Sequence, residues 1–229
     1  MQKRSKRYKE IFKTVEKNKK LDLKNIFEKI KTNCTSKFDE SIDVSLKINL
    51  KQSKGGDFNL RTIMKLPNGN GKKNTIAVLC EPDKIDEAKK SGAEIYGSED
   101  LLEKIATGKF NFSKLICTPS MMGKIGKYGK ILGPKGLMPN PKLGTVTNEI
   151  KKAVSDLKSG LIEIKNDKDG NVGATLGRKS FANEKLLENY KFLIESLKKE
   201  RPETMKGEFI KKIYLTSTMG ISYRVGVKN

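Results

Sequence analysis

Lysine is the residue type with the clearest chemical potential in this sequence, and residues 118–147 concentrate lysine among glycines and prolines. The five lysines of this segment are Lys124, Lys127, Lys130, Lys135 and Lys142. No Asp or Glu occurs from Lys104 to Asn148. Glycine and proline at this density predict a shaped loop and not a simple helix or strand. Lysines on such a loop, without acidic neighbours in the sequence, create a positive field that favours a polyanionic partner.

The chain as a whole is strongly basic. Its 48 Lys and Arg residues outnumber 27 Asp and Glu, which gives a net charge of +21 and a pI near 9.8. A nucleic-acid binder gains affinity from such a charge through counterion release, whereas a neutral-surface enzyme has no use for the self-repulsion. Of the basic residues, 42 are Lys and 6 are Arg. Because Lys acts as a point charge toward phosphate while Arg reads base edges, this excess favours backbone contact and recognition of shape.

Several function classes are excluded by composition. Histidine is absent, which removes Ser-His-Asp and Cys-His catalysis and His-based zinc sites. Cys34, Cys80 and Cys117 show no CxxC spacing, and the last two each end an apolar run, which predicts buried strand thiols. No apolar run approaches the roughly 18 residues of a membrane span, and the N-terminal segment lacks the apolar core of a secretory signal. We therefore expect a cytoplasmic, non-enzymatic protein with no metal, cofactor or membrane partner.

Two hydrophobicity patterns along the chain predict two domains. Residues 42–50 alternate apolar and polar side chains, as in a strand with one wet face, and this pattern returns near the C-terminus. In between, solid apolar runs such as residues 76–80 alternate with short amphipathic helices, as in a parallel sheet covered on both faces. We expect an α+β split domain of residues 1–67 and 160–229, with an inserted α/β Rossmann-like domain of residues 68–159.

Glycine-containing segments mark both crossings between these domains. Glycines with such spacing allow either a tight turn or a hinge. The predicted hinge positions are Pro67, Gly69 and Gly71 in the first crossing and Ser159 and Gly160 in the second. Motion of one domain relative to the other is expected there.

Two short segments beside predicted strands carry groups suited to RNA. The TSTMG segment, residues 216–220, lies between two strands, and its hydroxyls and glycine suit close approach of a ribose and phosphate backbone. Phe38 follows Lys37 just before the first alternating strand, where it is either a core residue or an exposed ring that packs on a sugar or base. Lys165 and Lys168, on a predicted hairpin, add charge nearby if those strands pair.

Several segments resemble the L-one family of large-ribosomal-subunit proteins. The longest is GKILGPKGLMPNPKLGTV at residues 129–146, and others are Arg7-Tyr8, SKFDESIDVSLKINL, KLPNGNGK, IKNDKDG and TSTMG. Together they span essentially the whole chain. One departure is Ile221, which follows TMG where the family usually has proline. The resemblance implies the same split domain and inserted Rossmann-like domain that the hydrophobicity patterns predict.

The resemblance also implies a function. Members of this family build the mobile stalk beside the tRNA exit site, bind a large-subunit rRNA element through the first domain, help release deacylated tRNA and repress their own messenger. The expected partners are therefore rRNA, exit-site tRNA, the protein's own messenger and other ribosomal components, for a bacterial or organelle-type protein that is monomeric off the ribosome. The RNA-binding residues that the family motifs imply are Lys37, Phe38, Lys165, Lys168, Thr216, Ser217, Thr218, Met219 and Gly220.

Two other functions compete with this interpretation. One is a small α/β enzyme that holds a phosphorylated substrate with the lysines of residues 118–147. The lack of histidine and of a carboxylate in that segment leaves it few groups for acid–base chemistry. The other is a promiscuous nucleic-acid condenser, which would not distinguish folded rRNA from a generic duplex.

Overall fold

The computed structural model describes residues 5–14, 22–50, 58–108, 110–203, 205 and 207–226. The chain divides into two compact units, of which unit 1 comprises Met1–Gly71 and Ile162–Asn229 and unit 2 comprises Lys72–Leu161. Each unit has its own hydrophobic core.

The helices of unit 1 are α1 (Lys6–Thr14), α2 (Leu23–Asn33) and α8 (Asn183–Lys199). Its strands are β1 (Ser41–Ile48), β2 (Arg61–Lys65), β6 (Leu161–Lys165), β7 (Asn171–Arg178), β8 (Ile210–Ser217) and β9 (Tyr223–Val225). Four of them form an antiparallel sheet in the order β7-β1-β8-β9, called sheet A below. A separate two-stranded sheet pairs β2 with β6.

Sheet A has one apolar face, which α2 and α8 cover. The alternation in β1 places Ile42, Val44 and Leu46 in the core, where they pack with buried residues of both helices such as Phe27 and Tyr190. Phe27 and Tyr190 meet edge to face, with ring centroids 6.5 Å apart. The period-two pattern of β1 therefore fixes which face of the sheet is buried and leaves the opposite face to solvent.

Unit 2 is a three-layer α/β structure. Its parallel sheet has the order β4-β3-β5, with the first strand in the centre. The strands are β3 (Ile76–Leu79), β4 (Ile95–Gly97) and β5 (Lys114–Cys117). The helices are α3 (Ile85–Lys90), α4 (Glu99–Ala106), α5 (Pro119–Gly126), α6 (Gly129–Leu132) and α7 (Ile150–Lys158).

Both faces of the parallel sheet are covered, as the solid apolar run of β3 predicts. Ala77 and Leu79 pack against α4, α5 and α6, while Ile76 and Val78 pack against α3 and α7. Unit 1 is an α+β domain with an antiparallel sheet, and unit 2 is an α/β domain with a parallel sheet covered by helices. The structure therefore confirms the predicted fold class.

The prediction that residues 118–147 form no simple helix is wrong for their first half. Helix α5 begins with a proline, whose missing N–H is not needed at the first position of a helix. The glycines within α5 and α6 are tolerated because one side of each helix packs into the core through Met121, Ile125 and Leu132. From Gly133 the chain is irregular apart from a short 3₁₀ turn at Pro141–Leu143.

The predicted hairpin of residues 161–178 is also wrong in part. Strand β6 pairs with β2, whereas β7 pairs with β1, so the two strands belong to different sheets. A single antiparallel bridge, Asn166 with Val172, and a tight turn join them. The two strands lie in different sheets because each pairs with a strand distant in sequence, and the local sequence does not specify that partner.

Candidate RNA-binding surface

Two segments that lie 180 residues apart in sequence meet at one end of sheet A. The loop before β1 and the turn after β8 both bond to the carboxylate of Glu40, whose side chain is fully buried. Ser36 N–H donates to Glu40 Oε1 at 3.2 Å, and Met219 N–H donates to Oε2 at 3.1 Å. Phe38 and Met219 are consequently displayed on the same end of the sheet, where 53% and 49% of their side chains are exposed.

The exposure of Phe38 decides between the two interpretations of this residue. A core residue at a strand end would be buried, and Phe38 is one of the few large apolar side chains that the described residues leave exposed. The core interpretation is wrong. Lys37 beside it is exposed as well, so an aromatic face and a positive charge are presented together.

The turn of residues 218–220 is tied directly to the first residue of β1. Ser41 N–H donates to Thr218 Oγ1 at 3.0 Å, and Thr218 N–H donates to Ser41 O at 3.1 Å. The hydroxyl oxygens of Thr218 and Ser41 lie 2.9 Å apart. The Thr218 hydroxyl, predicted as an RNA contact, therefore also has a role within the protein. The Thr216 hydroxyl likewise donates to Ser217 O at 3.1 Å, and Ser217 itself is buried.

Helix α1 adds an arginine to this end of the sheet. Arg7 Nη2 donates to Met219 O at 2.9 Å, and Arg7 Nη1 donates to Thr35 Oγ1 at 3.0 Å. An open groove of about 330 Å³ lies between the start of α1 and the turn. The residues that line this groove are Ser5, Arg7, Tyr8, Thr218, Met219 and Gly220. We call these residues together with Lys37 and Phe38 the loop-end surface.

Gly220 is required in the turn by its surroundings. A Cβ at this position would lie 2.2 Å from the Oγ of Ser217, a distance that forces a displacement. Ser217 is 3% exposed, and its hydroxyl bonds to the Glu40 carboxylate, so it has little freedom to move. Position 220 of this chain therefore needs a residue without a side chain.

We expect the Gly220→Ala variant to lose at least about 1 kcal/mol of unfolding free energy, because the new methyl group would overpack against buried Ser217. Thermal or urea unfolding measures the loss. The double variant Gly220→Ala with Ser217→Ala removes the clashing oxygen and is expected to be more stable than Gly220→Ala alone. If Ser217→Ala brings no recovery, the clash with Ser217 Oγ is not the cause.

The solvent-facing side of sheet A extends from the loop-end surface along β1. Register places Asp43 beside Thr216, Ser45 beside Tyr214, and Lys47 beside Lys212, and each of these side chains is exposed or half-buried. Arg224 of β9 lies beside Tyr214. We call these seven residues the open face. Of these residues, only Thr216 was predicted from the sequence as a candidate RNA contact. The alternating pattern of β1 could have identified Asp43, Ser45 and Lys47, because they are its polar positions.

Lys165 and Lys168 are not part of the loop-end surface. The turn at residues 167–170 contacts the opposite end of β1, where Ile48 N–H donates to Gly170 O at 2.8 Å. The eight residues of β1 span about 23 Å, so the turn that carries Lys168 lies at the opposite end of β1 from Phe38, while Lys165 lies on β6 in the separate two-stranded sheet. Asp167 orders this turn by accepting the Asn171 N–H at 2.7 Å, and Lys165 and Lys168 are exposed.

The predicted hinge residues lie at the unit boundaries but differ in how firmly they are held. Buried Asn189 accepts the Asn68 N–H at 3.1 Å and donates to Gly69 O at 2.9 Å, which fixes the Pro67–Gly71 segment to unit 1. Gly69, Gly71 and Gly160 all have positive φ. Ser159 Oγ donates to Asp156 O at 2.8 Å at the end of α7. Hinge motion at these positions stays a prediction.

The five lysines of residues 118–147 are all exposed, but they are not all without partners. Lys124 Nζ lies 2.8 Å from Glu99 Oε1, so a carboxylate distant in sequence neutralises part of the field that the sequence predicts. The Lys135 ammonium lies 4.3 Å from the centre of the Phe110 ring. The other three exposed lysines of this segment are Lys127, Lys130 and Lys142. The predicted positive field is therefore weaker than the sequence suggests at Lys124.

The prediction that Cys80 and Cys117 are buried thiols is confirmed, and Cys34 is buried as well. Cys34, Cys80 and Cys117 are free and buried, and burial raises the pKa of Cys117 to about 11. In the part of the chain that the structure describes, no cluster of three or more His, Cys, Asp or Glu is suited to a metal ion. None of the helices in these described ranges is both long and apolar enough to cross a membrane.

Comparison with known proteins gives a consistent result. Residues 30–221 match the model of the ribosomal protein L1p/L10e family. The large ribosomal subunit protein uL1 of Pelagibacter ubique is 52% identical over 225 residues, which cover 96% of both chains. The proteins of the same name from Thermosipho africanus and Thermosipho melanesiensis are each 46% identical over 226 residues, covering 98% of this chain and 97% of the relative. With a family match over most of its length and relatives of this similarity, the chain belongs to the ribosomal protein L1p/L10e family.

Proposed function

We propose that this protein is a structural constituent of the large ribosomal subunit and binds large-subunit rRNA through the loop-end surface and the open face of sheet A. The observation that carries the proposal is the joint display of Lys37, Phe38 and Met219 at one end of the sheet, held together by buried Glu40. The relatives' printed name, large ribosomal subunit protein, supports the assignment to the subunit.

The chemistry of the surface favours RNA over other polyanions. An exposed aromatic ring stacks on unpaired bases, which folded RNA offers in its loops and bulges and which a regular duplex does not. Along the open face, Lys47, Lys212 and Arg224 supply positive charge for phosphates, with Lys168 at the far end. Ser45 and Tyr214 add hydroxyls suited to the 2′-OH of ribose. These aromatic, cationic and hydroxyl groups follow β1, which is about 23 Å long, and fit a helix that ends in a loop, with Asp43 the one carboxylate of the open face.

The family resemblance extends the proposal to the stalk beside the tRNA exit site. In this role the protein aids release of deacylated tRNA, represses translation of its own messenger by binding an rRNA-like site there, and is a monomer in the cytoplasm when off the ribosome. The exposed lysines of unit 2, with Lys127, Lys130 and Lys142 foremost, are the residues we propose to face the tRNA or a neighbouring ribosomal component.

A competition experiment tests the RNA specificity. A labelled fragment of the large-subunit rRNA that contains the stalk element is bound to the full chain at constant salt and displaced by unlabelled fragment or by a generic RNA duplex of equal length. We expect the fragment to compete at least about tenfold better, a threshold well below the roughly 10³- to 10⁷-fold ratios usual for specific nucleic-acid binding. Fluorescence anisotropy measures the displacement.

Two outcomes would contradict the proposal in different ways. Equal competition by fragment and duplex would indicate the promiscuous condenser. A fragment that fails to bind at low salt would place the protein's partner elsewhere. The phosphorylated-substrate enzyme predicts displacement of RNA by small phosphate esters at millimolar concentration, which the rRNA proposal does not.

A further inference from the structure

Glu40 is an unusual side chain for a basic nucleic-acid binder. Its carboxylate is fully buried directly beneath the loop-end surface, and its two oxygens accept from the backbone N–H groups of Ser36 and Met219. The Ser217 hydroxyl is a further partner. Burial of a charge is costly unless hydrogen bonds compensate for it, so a carboxylate in this position indicates a specific structural requirement.

The hydrogen bonds to Glu40 outweigh the effect of its burial on ionisation. Burial alone raises the pKa of a carboxyl group, but the bonds from Met219, Ser36 and Ser217 hold the pKa of Glu40 below its ordinary value. Glu40 is therefore ionised at neutral pH and acts as an acceptor on both oxygens.

The peptide groups of Met219 are held from two sides. The N–H group donates to Glu40, and the carbonyl accepts from Arg7 of α1. The Met219 side chain nevertheless projects into solvent with 49% of its surface exposed. The backbone of this residue is thus fixed while its side chain stays available to a ligand.

We propose that Glu40 is a positioning residue for RNA recognition, which sets the geometry of Phe38 relative to Met219 without touching RNA itself. This inference rests on the proposed function of the loop-end surface. Glu40 is suited to the role because one rigid group bonds to the segments that carry both exposed side chains. If the bond to either segment is lost, the two contacts no longer have a fixed separation, and bound RNA must order them at an entropic cost.

Glu40→Gln is the informative substitution because it preserves the shape of the side chain. The amide has one oxygen acceptor and an NH₂ donor, so the NH₂ group faces one of the N–H donors that the carboxylate accepted. The variant therefore keeps one segment bonded and releases the other. The substitution also removes a negative charge from a protein of charge +21.

Because Glu40→Gln removes a negative charge, the two possible roles of Glu40 predict opposite changes in RNA affinity. If Glu40 acts on RNA only through long-range electrostatics, Glu40→Gln removes repulsion and binding becomes tighter. If Glu40 positions the surface, binding to the rRNA fragment weakens by about tenfold, the equivalent of one lost charge-assisted hydrogen bond. Affinity for the generic duplex, which needs no fixed separation of Phe38 and Met219, does not fall.

The matched control is Glu195→Gln on α8, an exposed glutamate whose loss changes the net charge equally. Anisotropy titrations of both variants and of the natural protein with the rRNA fragment and the duplex, at a temperature where circular dichroism shows all three folded, give the specificity ratio. We expect the ratio to fall only in Glu40→Gln. The amide resonances of Ser36 and Met219 report directly whether a bond to residue 40 is lost.

The outcomes separate this inference from the proposed function. If the natural protein has no preference for the rRNA fragment, the proposed function fails. If it has that preference and Glu40→Gln keeps it or binds the fragment more tightly, the positioning role of Glu40 is refuted while rRNA binding stands. Parallel losses for fragment and duplex would show that Glu40 serves only general stability, which also refutes the inference.

Discussion

The affinity of this protein for the rRNA fragment is expected to fall by about 10³- to 10⁵-fold between 50 and 200 mM salt. Strand β1, along which the surface from Phe38 to Lys168 extends, is about 23 Å long, enough to meet six to ten phosphates, and each neutralised phosphate releases counterions. The net charge of +21 provides the long-range attraction. A plot of the logarithm of the affinity against that of the salt concentration is expected to be a straight line with a steep negative slope.

The slope can be assigned to particular lysines. Lys212→Gln on the open face is expected to reduce its magnitude by about one, the effect of one phosphate contact. Lys191→Gln, an exposed lysine on α8 and therefore on the covered side of sheet A, is the control and is expected to leave the slope unchanged. An affinity that hardly depends on salt would contradict the electrostatic account, and equal effects of the two variants would move the contact surface away from sheet A.

Phe38→Ala is expected to weaken binding of the rRNA fragment by about 1–3 kcal/mol, the usual cost of removing an aromatic ring that stacks on a base. The ring is half exposed, so its loss leaves no cavity in the core, and the unfolding free energy is expected to stay nearly constant. Anisotropy titration and urea unfolding of the same variant separate these two effects.

The chain offers a matched control for this variant. Phe192 on α8 is also exposed, at 38%, but lies away from the loop-end surface, so Phe192→Ala is expected to bind RNA normally. Phe38 is a cleaner test than Thr218, because the Thr218 hydroxyl also bonds to Ser41 and its removal would disturb the turn. Normal affinity of Phe38→Ala would show that the ring does not stack on RNA.

The candidate surface could be predicted from the sequence only as separate pieces. Lys37, Phe38 and the TSTMG segment were identifiable by motif and by their places next to strands. Arg7 and Glu40 were not identified as structural supports of that surface, because an arginine in a basic helix and a carboxylate among polar residues carry no local sign of their distant partners. Glu40 contacts Met219 across 179 residues, and such contacts are decided by the packing of β1 between β7 and β8.

Three predictions from the sequence were wrong at least in part because contacts distant in sequence outweigh local signals. Helix α5 forms despite its glycines because buried Met121 and Ile125 pack on the sheet, and tertiary packing outweighs weak local propensity. Lys124 loses part of its field to Glu99, which lies 25 residues earlier in the chain. Strand β6 pairs with β2 and not with β7, although the turn between β6 and β7 has the sequence of a hairpin turn.

By itself the sequence determined the fold class, the buried side of β1 and the strongly basic character of the protein, because hydrophobic periodicity and net charge can be read directly from the residues. The tertiary structure alone decided which exposed groups share a surface. It joined the segments that carry Phe38 and Met219 through buried Glu40, and it placed the turn that carries Lys168 at the opposite end of β1. The physical reason is that hydrophobic burial depends on the pattern of neighbouring residues, whereas a binding surface depends on strand register and on hydrogen bonds between segments far apart in the chain.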